Sequence, residues 1–208
     1  MDEESNFMPY GVGSYLGTKK VLAFGWVWKH SPRPLQLNSV GDTVYLPRIF
    51  ASADIFMDMS MNKQKSDNLT LYTAYTYSDL GNNYLRNVGA MNPSTSVMAS
   101  ASSFNGKGNA YPLIGTGHTF YLQAGYMLPK SLFGERGITL QPYFDVQASQ
   151  FDKLNSWMHC YNAGVNLLLV GNKAKLSLNY QNRPVFSNTS FEQNARRSAV
   201  VLQWQVAI

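Results

Sequence analysis

The stretch Ile138-Thr-Leu-Gln-Pro-Tyr-Phe-Asp-Val-Gln-Ala-Ser149 decides the fold class of this chain. In an extended backbone, successive side chains point to opposite faces. One face therefore holds Ile138, Leu140, Pro142, Phe144, Val146 and Ala148, and the other holds Thr139, Gln141, Tyr143, Asp145, Gln147 and Ser149. This alternation predicts a β-strand with one apolar and one polar face. Because Pro142 has no N–H to donate, it predicts an edge strand or a bulge at that point.

The same alternation recurs along the chain. It is clear in Ala174–Gln181 and in Val200–Ile208, where a strand is expected to run to the last residue. Less regular candidates are Phe7–Leu16, Lys20–Lys29, Arg48–Asp58, Leu69–Ser78, His118–Met127 and Met158–Val170. Together they make roughly nine strands, each near the ~9–11 residues that a tilted strand needs to cross hydrocarbon. The expected fold is all-β.

The composition favours a membrane barrel. Charged residues make up 14% of the 208 residues and aromatic residues 13%, whereas soluble domains average ~25% charged residues. No apolar run approaches the ~18 residues of a membrane-spanning helix. Short strands with alternating faces, as in an antiparallel transmembrane β-barrel, reconcile these facts. The alternative is a soluble β-sandwich binding module, which would purify without detergent.

The connections between the predicted strands sort by length. If the C-terminus is periplasmic, the longest segments, His30–Pro47, Asp79–Gly117 and Asn182–Ala195, all fall on the external side, and tight turns such as Gly171–Lys173 fall on the periplasmic side. Outer-membrane barrels show this asymmetry. A soluble sandwich has no reason to sort its loops in this way.

Two observations predict that residues 1–208 are a single barrel segment and a fragment of a longer protein. Nine strands that end in the periplasm would begin outside, whereas bacterial single-chain barrels normally have an even count. The N-terminus, Met1-Asp-Glu-Glu-Ser5, is acidic where a secretory signal is basic and then apolar. Further N-terminal strands and a signal peptide are therefore expected upstream.

Several stretches resemble the C-terminal half of Bacteroidota outer-membrane porins and are similar to the phosphate-selective porin O and P family. They are Tyr15-Leu-Gly-Thr-Lys-Lys-Val21, Gly81-Asn-Asn-Tyr-Leu-Arg-Asn87, Gly108-Asn-Ala-Tyr-Pro-Leu-Ile-Gly-Thr-Gly117, Tyr121-Leu-Gln-Ala-Gly-Tyr126, Leu140-Gln-Pro-Tyr143 and Lys175-Leu-Ser-Leu-Asn-Tyr-Gln-Asn-Arg-Pro184. The resemblance covers nearly the whole chain. It is most specific in the Gly81 and Gly108 segments and in the last two strands.

The resemblance implies a barrel of about sixteen strands, often a homotrimer, in the outer membrane of a Gram-negative cell. The implied partners are outer-membrane lipid, lipopolysaccharide and the barrel-assembly machinery, which reads the C-terminal strand. Ile208 departs from the aromatic residue usual at the end of that strand. The ladder of lumen Arg and Lys that gives the family its anion selectivity lies largely outside this segment, so that selectivity is not carried over. Nucleic acid is not expected, because the basic residues are scattered.

If the apolar faces meet lipid, strand parity predicts a lumen wall of amides and hydroxyls with few charges. The candidate pore-lining residues are Asp54, Gln141, Asp145, Gln147, Lys175, Asn179, Arg183, Arg197 and Gln203. The Gly-rich loop 79–117 either lies outside the cell or folds inward, with Arg86 and Lys107 at a constriction. Trp26, Trp28, Tyr77, Tyr126 and Trp204 are expected in interfacial aromatic girdles. The charges alternatively pair with each other or with lipid headgroups.

Catalysis has little support in the sequence, and no cofactor or metal is expected. The histidines His30, His118 and His159 are dispersed, and neither HExxH nor a paired-cysteine spacing occurs. Gly11-Val-Gly-Ser14 resembles a nucleophile elbow only loosely. The single cysteine, Cys160, cannot form an intramolecular disulfide, and Met57, Met59 and Met61 are expected to pack rather than hold a soft metal.

These features predict a water-filled porin through which small hydrophilic, including anionic and phosphate-like, solutes diffuse passively. A plugged barrel that acts as an adhesin or scaffold would show the same alternation, and conductance separates the two. A barrel hydrolase using Ser14 or His118 is a third class.

Overall fold

The computed structural model describes residues 1–2, 14–32, 35–37, 43–45, 47–62, 66–88, 111–129, 137–187 and 189–206. In these ranges the chain is all-β, without a helix. Its strands are β1 (Val21–Ser31), β2 (Leu35–Leu37), β3 (Thr43–Tyr45), β4 (Arg48–Met59), β5 (Asn68–Asp79), β6 (Leu85–Val88), β7 (Tyr111–Gly115), β8 (Gly117–Met127), β9 (Thr139–Phe151), β10 (Met158–Val170), β11 (Ala174–Phe186) and β12 (Gln193–Val206).

Eight of these strands form one antiparallel sheet, in the order β1-β4-β5-β8-β9-β10-β11-β12. Each strand pairs with the next long strand along the chain, so the sheet is an up-and-down meander. It is open, because β1 and β12 each have one partner strand within the described sheet. The pairs β2–β3 and β6–β7 form two small separate hairpins.

The eight strands of the sheet match eight of the nine predicted segments, and the all-β, antiparallel prediction is confirmed. The ninth, Phe7–Leu16, is not seen as a strand: residues 14–16 are not extended, and residues 7–13 lie outside the described part of the chain. The odd strand count depended on that segment. With eight strands, β1 begins and β12 ends at the same end of the sheet.

Pro142 lies in an internal strand rather than at an edge. Its strand, β9, pairs with β8 on one side and β10 on the other. The β8–β9 pairing runs from Gly117↔Phe151 to Gly125↔Tyr143 and does not include Pro142, the residue next to Tyr143. Beyond Pro142, the N–H of Leu128 donates to the carbonyl of Leu140 at 2.9 Å. An interrupted ladder accommodates the missing N–H.

The two ends of the sheet differ. At one end, the long-connection end, successive strands of the sheet are joined through residues 32–47, 80–116, 152–157 and 187–192. At the other, the short-turn end, they are joined through residues 60–67, 128–138 and 171–173. The two longest connections share the long-connection end, as predicted. The segment 128–138 is nevertheless longer than two of the connections at the opposite end, so the sorting by length is incomplete.

Asp67 fastens the short turn between β4 and β5. Its Oδ1 accepts the backbone N–H groups of Asn62 (2.7 Å) and Met61 (3.1 Å), and its Oδ2 accepts the Tyr126 hydroxyl (2.7 Å). These bonds, that of Asn62 foremost, hold the pKa of the Asp67 carboxyl below its ordinary value of 3.8. The ionised carboxylate is therefore the form that stabilises the turn.

We expect Asp67→Asn to destabilise the fold near neutral pH and to have progressively less effect in acid. Because the folded pKa lies below the unfolded one, the stabilisation is complete above pH 3.8 and is lost as the pH falls through the folded value. Urea unfolding of both proteins at pH 7 and pH 3 measures the difference. Glu192→Gln, at an exposed connection, is the control. An equal deficit at both pH values would contradict the assignment.

Candidate functional site

A cavity of about 660 Å³ lies against the polar face of the sheet. Side chains from six consecutive strands, β5 and β8–β12, border it, which requires the sheet to curve strongly around that face. The wall consists mainly of amides and hydroxyls: Thr70, Gln123, Gln141, Tyr143, Asn162, Asn166, Ser177, Asn179, Gln181, Gln203 and Gln205. The charged side chains among the residues bordering it are Asp145 and Lys175.

Hydrogen bonds between neighbouring strands hold these side chains in place. The amide of Asn162 donates to Asp145 at 2.6 Å. Asn166 donates to the Gln141 carbonyl oxygen at 3.2 Å and accepts the Ser177 hydroxyl at 2.6 Å. The partners face one another because the register pairs Asp145 with Asn162 and Gln141 with Asn166. A wall fixed in this way presents preoriented polar groups to the cavity.

Gly164 of β10 leaves room for the Tyr143 side chain of β9 to lie across β10. A Cβ built on Gly164 would lie 2.7 Å from Cζ and the hydroxyl of Tyr143, so the ring occupies the space above this residue. The Tyr143 hydroxyl then accepts a hydrogen bond from Asn179 at 2.8 Å, two strands away. The ring thereby ties β9 to β11 over β10.

The segment 14–18 closes the cavity at the short-turn end. The Ser14 hydroxyl accepts from Asn68 at 3.2 Å, while the Ser14 carbonyl accepts from Asn172 at 3.0 Å. Asn68 is the first residue of β5 and Asn172 lies in the β10–β11 turn. Ser14 therefore connects two distant strands of the sheet across its polar face. Beneath it, the fully buried Asp58 accepts bonds from Asn68 (3.0 Å) and Thr70 (2.8 Å).

The hairpin β6–β7 covers the polar face at the long-connection end. A small apolar core lies there, formed by Phe151, Leu154, Met158, Cys160 and Phe186, with Leu85 and Tyr111 of the hairpin packed against it. Burial raises the pKa of the Tyr111 hydroxyl to about 12, with the Cys160 thiol and Asp145 adding to the effect. Part of the loop 79–117 therefore turns inward over the sheet.

Cys160 offers a direct test of this arrangement, since it is a free thiol that is 5% exposed. We expect Tyr111→Ala to speed its reaction with a water-soluble disulfide reagent by an order of magnitude or more. Removing the ring loses ~1.5–3 kcal/mol of apolar burial, and ~1.4 kcal/mol corresponds to a factor of ten. Ile114→Ala, on an exposed side chain of the same strand, is the matched control. Equal rates in all three proteins would show that the hairpin does not cover Cys160.

The opposite, outward face is apolar and open. Trp26, Phe24 and Leu202 are 83%, 72% and 69% exposed. On the polar face, in contrast, Gln141 is 8% and Ser149 0% exposed. This distribution reverses that of a soluble β-sheet, in which polar residues face water.

Aromatic rings gather on the outward face near the long-connection end. The register aligns Trp28, Tyr77 and His118 across β1, β5 and β8. His118 packs on Tyr77 and shares a 2.6 Å hydrogen bond with the Tyr75 hydroxyl, while His159 lies between Trp157 and Tyr161. His30 stacks on Trp28. The three histidines, which are far apart in sequence, therefore all lie among these aromatic rings.

The predicted lining residues separate into two groups. Gln141, Asp145, Lys175, Asn179 and Gln203 border the cavity together. Four others lie on the same face but away from the cavity: Asp54 lies over Gly25, Gln147 donates to Ser149, Arg183 is buried near the hairpin, and the exposed Arg197 pairs across from Arg183.

Neither constriction candidate can be placed at the cavity. Arg86 is an exposed residue of β6, and Lys107 lies outside the described residues. The structure instead brings Ser14, Asn172 and Tyr111 to the two ends of the polar face. Their sequence contexts carry no periodic signal, so only the fold reveals them.

Ser14 and His118, the two residues considered for a hydrolase, do not lie together in the structure. Ser14 lies on the polar side at the short-turn end, whereas His118 lies on the outward face at the other end. The two side chains cannot act together. Within the described ranges, no group of three or more His, Cys, Asp or Glu side chains is arranged to hold a metal ion.

Comparisons with family models, with curated proteins and with solved structures found no match for this chain. Among the residues that the structure describes, no helix is long and apolar enough to span a membrane.

Proposed function

We propose that this chain forms the wall of an outer-membrane, porin-like pore through which small hydrophilic solutes diffuse passively. The observation that carries the proposal is the inverted distribution of polarity. The outward face exposes Trp26, Phe24 and Leu202, while the concave face buries a hydrogen-bonded set of amides. Soluble monomers rarely expose contiguous apolar patches larger than a few hundred Å². A lipid-facing exterior with a polar interior is the arrangement of membrane barrels.

The aromatic rings on the outward face support the same assignment. Rings that combine an apolar body with a polar atom favour the boundary between lipid and water. Tyr75, His118 and His159 provide such rings near one end of the strands, and Trp204 lies at the other, paired with Leu176. The apolar residues between them form the band that would contact hydrocarbon.

The pore requires partners for both edges of the sheet. Each unsatisfied N–H or C=O group costs several kcal/mol in hydrocarbon. In the membrane, β1 and β12 must therefore pair with each other or with further strands. The resemblance to porins of about sixteen strands favours further strands, and a trimer in the outer membrane follows from the same resemblance.

Conductance of the full chain in planar lipid bilayers tests the pore. We expect steps of current from protein refolded in detergent, with β-sheet circular dichroism confirming the fold. Folded protein that gives no current would instead favour the plugged adhesin or scaffold. One observation favours this plugged alternative: the hairpin β6–β7 and residues 14–18 cover the two ends of the polar face.

Asp145 provides a prediction about ion selectivity, because it is the carboxylate that borders the cavity. Replacing it with asparagine removes a negative charge from the path and leaves Lys175 unopposed. In a KCl gradient, we expect the reversal potential of Asp145→Asn to shift toward the equilibrium potential of chloride. Asp152→Asn, in an exposed turn, should leave it unchanged. An unchanged reversal potential for Asp145→Asn would place Asp145 outside the ion path.

A further inference from the structure

We propose that the cavity takes neutral polyhydroxylated solutes, such as sugars and sugar alcohols, in preference to anions. This selectivity rests on the pore proposed above and specifies which solutes the cavity recognises. It follows from the balance of hydrogen-bond donors and acceptors in the wall, from the placement of its charges and from the position of one aromatic ring.

The wall can donate and accept hydrogen bonds at the same sites. Each carboxamide carries a carbonyl acceptor and two N–H donors, and Gln123, Gln141, Gln181, Gln203 and Gln205 border the cavity from four strands. A hydroxyl group likewise donates one bond and accepts others. Neighbouring hydroxyls on a sugar therefore match amides. Inorganic phosphate, in contrast, offers mainly acceptors and cannot satisfy an acceptor such as the Asn179 carbonyl oxygen, which borders the cavity and has no hydrogen-bond partner among the described residues.

The network across the strands leaves one amide donor beside the cavity without a partner. The carbonyl oxygen of Gln141 is occupied by Asn166, and the carbonyl oxygen of Asn166 is occupied by the Ser177 hydroxyl. Within the described residues, the amide nitrogen of Gln141 has no hydrogen bond of its own, although its side chain borders the cavity. Such a preoriented donor binds a hydroxyl oxygen with little loss of side-chain entropy.

The charges oppose the binding of an anion. Asp145 and Lys175 both border the cavity, so its wall carries one charge of each sign. Arg183 and Arg197, the cations that would attract phosphate, do not border it: Arg183 is buried near Tyr111 and Cys160, and Arg197 is its cross-strand partner. An anion in the cavity would meet Asp145 without an arginine fork, the group best suited to phosphate.

Tyr143 adds an apolar surface suited to the ring of a sugar. Its ring borders the cavity and lies against Gly164, with its hydroxyl held by Asn179. A sugar ring has C–H faces as well as hydroxyl edges. A fixed aromatic ring beside amides is therefore complementary to both parts of such a solute.

Block of the ion current tests the proposal. The full chain is placed in a planar bilayer in KCl, and sucrose or inorganic phosphate is added at equal concentration. We expect sucrose to reduce the current in a saturable manner and phosphate to have little effect. Gln141→Leu should raise the sucrose concentration for half-block by between about 2- and 10-fold, as expected for the loss of one hydrogen bond. Gln150→Leu, an exposed glutamine of the same strand, should not change it.

The outcomes separate this selectivity from the pore itself. Saturable block by sucrose that Gln141→Leu weakens supports the proposal. A conducting channel that phosphate blocks and sucrose does not would overturn the selectivity and leave the pore intact. Absence of current from protein with native β-sheet circular dichroism would overturn the pore, and the selectivity with it. Sucrose block that Gln141→Leu leaves unchanged would place the sugar site elsewhere and also overturn the proposal.

Discussion

Leu178→Arg is expected to destabilise strongly the protein that is folded in lipid vesicles. Leu178 lies within β11 on the outward face and is 53% exposed. Its cross-strand neighbours on that face are Val165 and Leu202, so it lies inside the apolar band. An arginine on the lipid face of a barrel costs about 2–4 kcal/mol near the middle of the bilayer. This corresponds to roughly a 30-fold or larger fall in the equilibrium constant for folding.

The same substitution would change the stability of a soluble protein very little. A half-exposed leucine in water can be exchanged for arginine at a cost usually within about 0.5 kcal/mol. Urea titration of protein folded into dilauroylphosphatidylcholine vesicles measures the difference. Gln150→Arg adds the same charge to an exposed position at the end of β9 and serves as the control. If Leu178→Arg is as stable as wild type and needs no detergent, the outward face does not contact lipid.

Gly164→Ala is expected to destabilise the sheet by about 1–3 kcal/mol, the usual cost of overpacking. The new Cβ would lie 2.5 Å from the backbone oxygen of Leu178 and 2.7 Å from the Tyr143 ring. The ring must then leave its place over β10, which breaks its hydrogen bond with Asn179. Because one of the two conflicts is with backbone, side-chain movement alone cannot relieve the strain.

A second glycine on the same face provides the comparison. A Cβ on Gly125 would meet its nearest atom, the amide nitrogen of Gln141, at 3.5 Å, an ordinary contact. Gly125→Ala should therefore be neutral or stabilising by up to ~1 kcal/mol. Adding Tyr143→Leu to Gly164→Ala should recover only part of the loss, because the conflict with the Leu178 backbone remains. Equal urea midpoints for Gly164→Ala and Gly125→Ala would contradict the packing of Tyr143 over Gly164.

The strands and their faces could be predicted from the sequence because alternation is a local property. Whether Thr139, Gln141 and Asp145 share a face depends only on their spacing along an extended chain. The expected strand Met158–Val170 is observed with these bounds, and the expected strand His118–Met127 differs by one residue. The polar face was predicted correctly in the same way. The segment Phe7–Leu16 was less regular, and its last residues, Tyr15 and Leu16, form a turn rather than a strand.

The sequence by itself determined which segments form the long strands and which face of each strand is polar. Only the tertiary structure decided which of those residues share the cavity. Asp145 and Lys175 both border it because the sheet curves, and curvature arises from the summed twist and packing of many strands. Arg183 is buried because a hairpin far from it in sequence packs on that end of the sheet. Contacts between residues so distant in sequence leave no periodic pattern, so spacing alone could not reveal them.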